Sequence, residues 1–280
     1  MRSINTKELI PVIRGLCIQA CQHLSANVTD ALKDARRREE SPLCREILDM
    51  LIENADYADK NNLACCQDTG MTVVFMEIGQ EVCWEGEPLM DAVNEGVRQG
   101  YRDGYLRKSV VADPILRTNT GDNTPAVLHT EIVPGDRVTI TVLPKGAGSE
   151  NMSHLSMLIP ADGVAGIKKA VLDAVDYAGG KPCPPLVIGI GLGGTMDQAA
   201  VLSKKALRRD IGNRNPKPHL AKLEEELLKE INDSGIGALG MGGTVTALDV
   251  HIEAYPTHIA CLPLAITFQC HACRHAQAQI

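Results

Sequence analysis

Residues 185–200 read PLVIGIGLGGTMDQAA. The apolar run Pro185–Ile190 predicts a strand, and a glycine-rich turn carries it into a helix from about Met196 to Arg209. A strand feeding a helix through glycines is a building unit of α/β proteins. Gly189, Gly191 and Gly194 also satisfy the spacing G-x-G-x-x-G, with Asp210 about twenty residues beyond, as in the dinucleotide fingerprint. The match sits deep in the chain and Cys183-Pro184-Pro185 leads into its strand. A helix N-terminus that receives a small anion, or plain tight packing, is therefore the preferred reading.

The same alternation continues outward. Helices are predicted over Asp162–Tyr177 and Pro218–Asn232, with strands over Val245–His251 and Leu262–Phe268. In the first half, Thr6–His23 has the apolar spacing of a helix, and Asp30–Glu40 reads as a charged, solvated stretch. Ser41-Pro42 reads as N-cap and first position of a helix to about Asp59. Met71–Ile78 follows as a buried strand and Pro88–Gly104 as a helix. Val127–Ile132 and Val138–Leu143 flank Pro134-Gly135-Asp136 as a β-hairpin. The expected fold is α/β, a mixed, mostly buried sheet flanked by helices, with a helical N-terminal region. No linker rich in Ser, Pro or charge appears, so residues 1–280 are expected to form a single domain, with two lobes meeting near 145–160. Gly240-Met241-Gly242-Gly243-Thr244 echoes Gly191–Thr195 as a second G-x-G-G-T, another place where backbone approaches something closely.

A formal charge of −7 and 3% aromatic residues argue against a nucleic-acid surface, which needs basic patches and stacking rings. No apolar run is long enough to span a bilayer, and the N-terminus reads as an amphipathic helix rather than a signal peptide. A cytoplasmic protein is expected. The ten cysteines are then reduced, each a small buried hydrophobe, a metal ligand or a nucleophile.

Three cysteines stand apart by their surroundings. Cys66 enters the strand at Met71 through Gln67-Asp68-Thr69-Gly70; Cys183 precedes two prolines; Cys270 follows the strand Leu262–Phe268 and opens Cys270-His271-Ala272-Cys273-Arg274-His275. All three lie at strand edges, where loops from one rim of a sheet can converge. Three converging thiolates can hold an iron–sulfur cluster and leave one iron open. Other readings compete. Cys270 and Cys273 could be a redox pair or half a zinc site, although no second C-x-x-C completes one. A nucleophilic cysteine with His258 or His271 is conceivable, and packing alone would account for most thiols.

These residues resemble the iron–sulfur hydro-lyases, the class I fumarases and L-tartrate dehydratases. The likeness runs through Cys66–Gly70, Asn119–Asn123, Pro144–Asn151, Cys183–Pro185, the GIGLGGTMDQAA segment with Leu202–Ala206, Ala247–His251, Pro256–His258 and Cys270–Ala272. It implies the α subunit of a two-subunit enzyme with a [4Fe–4S] cluster on Cys66, Cys183 and Cys270. The unligated iron would act as a Lewis acid on a small dicarboxylate substrate. It further implies Asp68 as a catalytic and substrate contact, Arg107 as a substrate-carboxylate arginine and His258 as an active-site histidine. The proton-abstracting base would come from a separate β subunit in an α2β2 assembly. Cys65 and Cys273 depart from the family pattern and are read as bystanders. Fumarate hydration to L-malate is the favoured reaction, because the extra cysteine of tartrate-type chains is missing from Gly146–Ser149. L-tartrate dehydration is the alternative, and an iron–sulfur electron-transfer or sensing protein is the alternative from another class.

Overall fold

The computed structural model describes residues 1–280. Its first elements are β1 (Arg2–Asn5), α1 (Leu9–Gln22), α2 (Ala26–Arg38), α3 (Pro42–Asn61), β2 (Met71–Gly79), β3 (Val82–Glu85) and α4 (Leu89–Asp103). There follow β4 (Val127–Val133), β5 (Val138–Lys145), α5 (Ala147–Glu150), β6 (His154–Leu158), α6 (Gly163–Ala178) and β7 (Leu186–Gly193). The chain closes with α7 (Met196–Ala206), α8 (Pro218–Asn232), β8 (Ala247–Tyr255), β9 (Leu262–Gln269) and β10 (Ala276–Gln279). No helix is long and apolar enough to cross a membrane.

The chain divides into two compact units. One holds Met1–Leu24, Ala55–Ala147 and Arg274–Ile280; the other holds Ser25–Asn54 and Gly148–Cys273. The mixed, helix-flanked sheet expected from the sequence is present as two four-stranded mixed sheets, one in each unit.

The first unit contains a four-stranded sheet in the order β10-β5-β2-β4, and a short β1–β3 pair. β2 is buried along most of its length, so it needs a neighbour on each edge. The two strands expected to pair as a hairpin supply them: β4 runs parallel to β2 and β5 antiparallel to it. The hairpin is therefore split by an inserted strand. The connecting turn folds over the end of β2, where the Gly79, Gln80 and Glu81 N–H groups donate to the Arg137, Val133 and Gly135 carbonyls at 2.8, 2.7 and 2.9 Å. α1 and α4 pack together, and α1 lies against β5. They approach closely because Gly96 and Gly100 face Ile13 and Cys17, whose Cβ atoms would lie only 2.7 and 2.8 Å from an added methyl group.

The second unit is built on the sheet β6-β9-β7-β8, with β7 parallel to β8 and antiparallel to β9. Alternation along β7 sorts its two faces. Leu186, Ile188 and Ile190 join the core formed with α6 and α8. Gly189 and Gly191 lie under α7, where a methyl group would overlap the Ser203 and Ala199 carbonyls. The first two glycines of the fingerprint are thus required by helix-on-strand packing. The stretch expected to be charged and solvated is mostly α2, which buries Val28, Leu32 and Ala35 and exposes its basic residues.

Candidate metal centre

In the first unit, residues 65–70 form a loop whose backbone is tied at Cys65, Asp68, Thr69 and Gly70. The Cys65 N–H donates to the Cys21 carbonyl at 3.0 Å. The buried Arg274 guanidinium donates to the Asp68 carbonyl at 2.7 Å. Tyr101, fully buried, donates its hydroxyl to the Thr69 carbonyl at 2.7 Å and approaches the Gly70 carbonyl at 3.1 Å. The buried Asn123 amide donates to the Gly70 carbonyl at 3.2 Å and accepts from the Ser109 N–H at 2.7 Å. Gly70 has φ +71, and a side chain there would lie 2.6 Å from the Lys145 backbone. Only glycine fits that turn.

This frame orients Asp68. Its carboxylate accepts from the Gly70 N–H at 2.9 Å and from the Ala147 N–H at 2.8 Å. A methyl group at Gly146 would sit 3.2 Å from the Asp68 carboxylate and 3.3 Å from the Arg274 guanidinium, so glycine keeps space beside both. Cys66 and Asp68 are half-buried, and the Arg107 side chain is exposed. Arg107 is tied to the loop through its carbonyl, which accepts from the Thr69 hydroxyl at 2.9 Å.

In the second unit, Cys183 has φ +59 and lies ahead of β7, and Cys270 directly follows β9. One peptide links the two sites: the Cys183 carbonyl accepts from the His271 N–H at 3.2 Å, and the His271 Nδ1 lies at 3.2 Å from the same oxygen. His258 is exposed, and its Nδ1 accepts from the Ala260 N–H at 3.1 Å. In the neutral ring that bond leaves the proton on Nε2. The preceding Thr257 hydroxyl donates to the Gly194 carbonyl at 3.0 Å, so the Pro256–His258 segment is anchored to the turn after β7.

The fumarate hydratase (Fumerase) family model matches residues 10–279. The chain belongs to the fumarate hydratase family. It is 44% identical over 275 residues to a Methanocaldococcus jannaschii protein provisionally named L(+)-tartrate dehydratase subunit alpha, covering 96% of each chain. It is 30% identical over 271 residues to the L(+)-tartrate dehydratase subunit alpha of Escherichia coli K12, covering 95% of this chain and 89% of that one. Membership makes the protein a hydro-lyase, which displaces the electron-transfer and sensing alternative. The relatives' names favour the tartrate alternative over the fumarate reading preferred from the sequence.

Within this fumarate hydratase family chain, the thiols differ in kind. Cys66 and Cys270 are half-buried and Cys183 is exposed, whereas Cys17, Cys21, Cys44 and Cys273 are buried. Burial pushes the Cys21 thiol up to about 12 and pushes Cys17 and Cys273 up as well, so these three stay protonated. The three motif cysteines, by contrast, are not sealed in the core. No three His, Cys, Asp or Glu side chains are gathered into a metal-holding group; Cys66 belongs to one unit, and Cys183 and Cys270 to the other. In donor chemistry and accessibility, the three motif thiols fit an iron–sulfur cluster.

Several residues that build these loops carried little sequence signal. Tyr101 lies in an ordinary amphipathic helix. Arg274 lay inside the Cys270–His275 run but was overshadowed by its cysteines. Asn123 ended a motif of the resemblance without an assigned role. The second G-x-G-G-T also has a structural occupant: the buried Glu39 carboxylate accepts from the Thr244, Val245 and Ser41 N–H groups at 2.9–3.0 Å. A methyl group at Gly243 would lie 2.8 Å from that carboxylate. Burial raises the Glu39 carboxyl, and the converging donors outweigh burial and hold it below its ordinary value.

Proposed function

We propose that this chain is the α subunit of an iron–sulfur hydro-lyase that removes water from L-tartrate. Cys66, Cys183 and Cys270 are proposed to hold a [4Fe–4S] cluster. The observation that carries the reading is the frame around the Cys66–Gly70 loop. It presents one candidate ligand and one oriented carboxylate, two residues apart, within a chain of the fumarate hydratase family. When bound, a cluster with an open iron supplies Lewis acidity toward a leaving hydroxyl.

The chain's own residues have narrower tasks in this reading. Two backbone N–H groups fix the plane of the Asp68 carboxylate, and its remaining lone pairs receive a hydrogen bond from the substrate hydroxyl or from the water that departs. Arg107 takes a substrate carboxylate, a planar match for its guanidinium. The Nε2–H of His258 donates to a substrate oxygen. Dehydration breaks one C–O bond and the C–H bond on the adjacent carbon, and the hydroxide and proton leave as water. The base that receives that proton is proposed to belong to a partner β subunit, as the relatives' designation "subunit alpha" supports. An α2β2 enzyme in the cytoplasm, where ten free thiols stay reduced, completes the reading.

A second reading, fumarate hydration to L-malate, is favoured by the description of the family model. One assay separates them. The α chain is produced anaerobically with its partner subunit and offered L-tartrate, fumarate and L-malate. Oxaloacetate formed from L-tartrate, with a kcat/KM above that for fumarate, supports the first reading. Faster interconversion of fumarate and L-malate refutes it in favour of the second, and inertness toward all three refutes both.

A further inference from the structure

Within the first unit, residues 110–120 form a hydrogen-bonded finger. An isolated antiparallel bridge joins Val111 to Asn119, and the Ala112 and Thr120 N–H groups donate to the Thr118 and Val110 carbonyls at 2.7 and 3.0 Å. The tip is a turn held by Asp113, whose carboxylate accepts from the Ile115 and Leu116 N–H groups at 2.8 and 2.7 Å. This rigid turn leaves two adjacent aliphatic side chains in water: Ile115 is 86% exposed and Leu116 79%. Tyr105, near the base of the finger, is 94% exposed. Single exposed apolar residues are common on surfaces. Two at the end of a braced hairpin, with an aromatic at its foot, form a presented group, and such groups mark interaction sites.

The base of the finger is continuous with the candidate site. Asn123 accepts from the Ser109 and Val110 N–H groups at 2.7 and 3.3 Å while its amide donates to the Gly70 carbonyl. The Thr69 hydroxyl donates to the Arg107 carbonyl. Two exposed cations flank the finger, Lys108 at its base and Arg117 at its tip, and the one acidic residue of the finger, Asp113, is occupied by its turn.

We infer that this finger is the docking element for the partner subunit: Ile115 and Leu116 enter an apolar pocket on that subunit, and a rim of carboxylates there meets Lys108 and Arg117. The inference rests on the two-subunit reading above and goes beyond it by naming the contact. The finger's base shares hydrogen bonds with the Cys66–Gly70 loop, so docking also restrains that loop.

The test measures binding between the separately purified chains, independently of substrate. The double substitution Ile115→Ser with Leu116→Ser should weaken association by about a hundredfold, as expected when two anchors of an interface are lost. The thermal midpoint of the isolated chain should stay unchanged, because the tip buries nothing within it. Lys108→Glu with Arg117→Glu should slow association most at low salt. In the wild-type complex, amide exchange should slow at residues 107–123 and at 65–70. Wild-type affinity in the double-serine variant overturns the inference. So does a wild-type chain that binds no partner subunit, or one that dimerises through the tip instead. Loss of binding together with inertness toward tartrate and fumarate would leave the docking inference standing and refute only the proposed reaction.

Discussion

Replacing Tyr101 by Phe removes one oxygen from the core of the first unit and leaves its packing volume nearly unchanged. The Tyr101 hydroxyl donates to the Thr69 carbonyl at 2.7 Å and lies 3.1 Å from the Gly70 carbonyl. Without it, Gly70 keeps the Asn123 amide at 3.2 Å, whereas Thr69 keeps only the Cys21 thiol at 3.9 Å, a weak donor. The substitution therefore strands one buried carbonyl, at a cost of about 1–3 kcal/mol. For a domain of this class each kcal/mol lowers the thermal midpoint by about 2–4 °C, so a fall of roughly 2–12 °C is expected. Calorimetry of the metal-free chain measures it, with Tyr105→Phe, at an exposed position, as the control that should not move. Amide exchange at residues 65–72 should accelerate by more than the global loss of stability accounts for. A shift below about 1 °C, or faster exchange spread evenly over the chain, would refute the claim that Tyr101 braces the ligand loop.

Gly191→Ala should prevent α7 from seating on β7, giving little folded protein, whatever nucleotide is present; rescue by a dinucleotide would restore the fingerprint reading. Glu39 and Asp249 are buried carboxyls that burial raises but hydrogen-bond donors hold below their ordinary values of 4.5 and 3.8. The unfolded chain therefore binds more protons in acid, and their contribution is complete above those ordinary values and lost as pH falls through the lower folded ones. Thermal midpoints between pH 3 and 6 should decline toward acid, and Glu39→Gln should lower stability at pH 7 by about 1–3 kcal/mol while flattening that decline. A parallel, undiminished acid slope in the variant would rule Glu39 out as a contributor. Asp68→Asn should leave cluster content near wild type and cut kcat by about a hundredfold or more; equal loss of cluster and activity would make Asp68 structural.

The strand-turn-helix at residues 185–200 announced the α/β class because β7 alternates large apolar residues with glycine, a pattern that follows from α7 lying on one face. The loop cysteines were legible through their motifs. The split hairpin was not, since Val127–Ile132 and Val138–Leu143 have the composition and spacing of partners, and only β2's need for two edges separates them. Glu39 looked solvated because a run of charges surrounds it. Its burial depends on donors from residues about two hundred positions away, beyond any local pattern. Arg274 and Tyr101 were hidden for the same reason: each acts on backbone atoms distant in sequence, and a carbonyl leaves no mark in the residue that bears it.

The central claim is the ligand set, and the most direct measurement is iron and sulfide content after anaerobic reconstitution of the chain and of its single Cys→Ser variants. The account predicts about four irons per wild-type chain, loss of the intact cluster with Cys66→Ser, Cys183→Ser or Cys270→Ser, and wild-type content with Cys65→Ser and Cys273→Ser. A wild-type chain that takes up far less iron, or a Cys65→Ser variant that loses the cluster while Cys66→Ser keeps it, would contradict it.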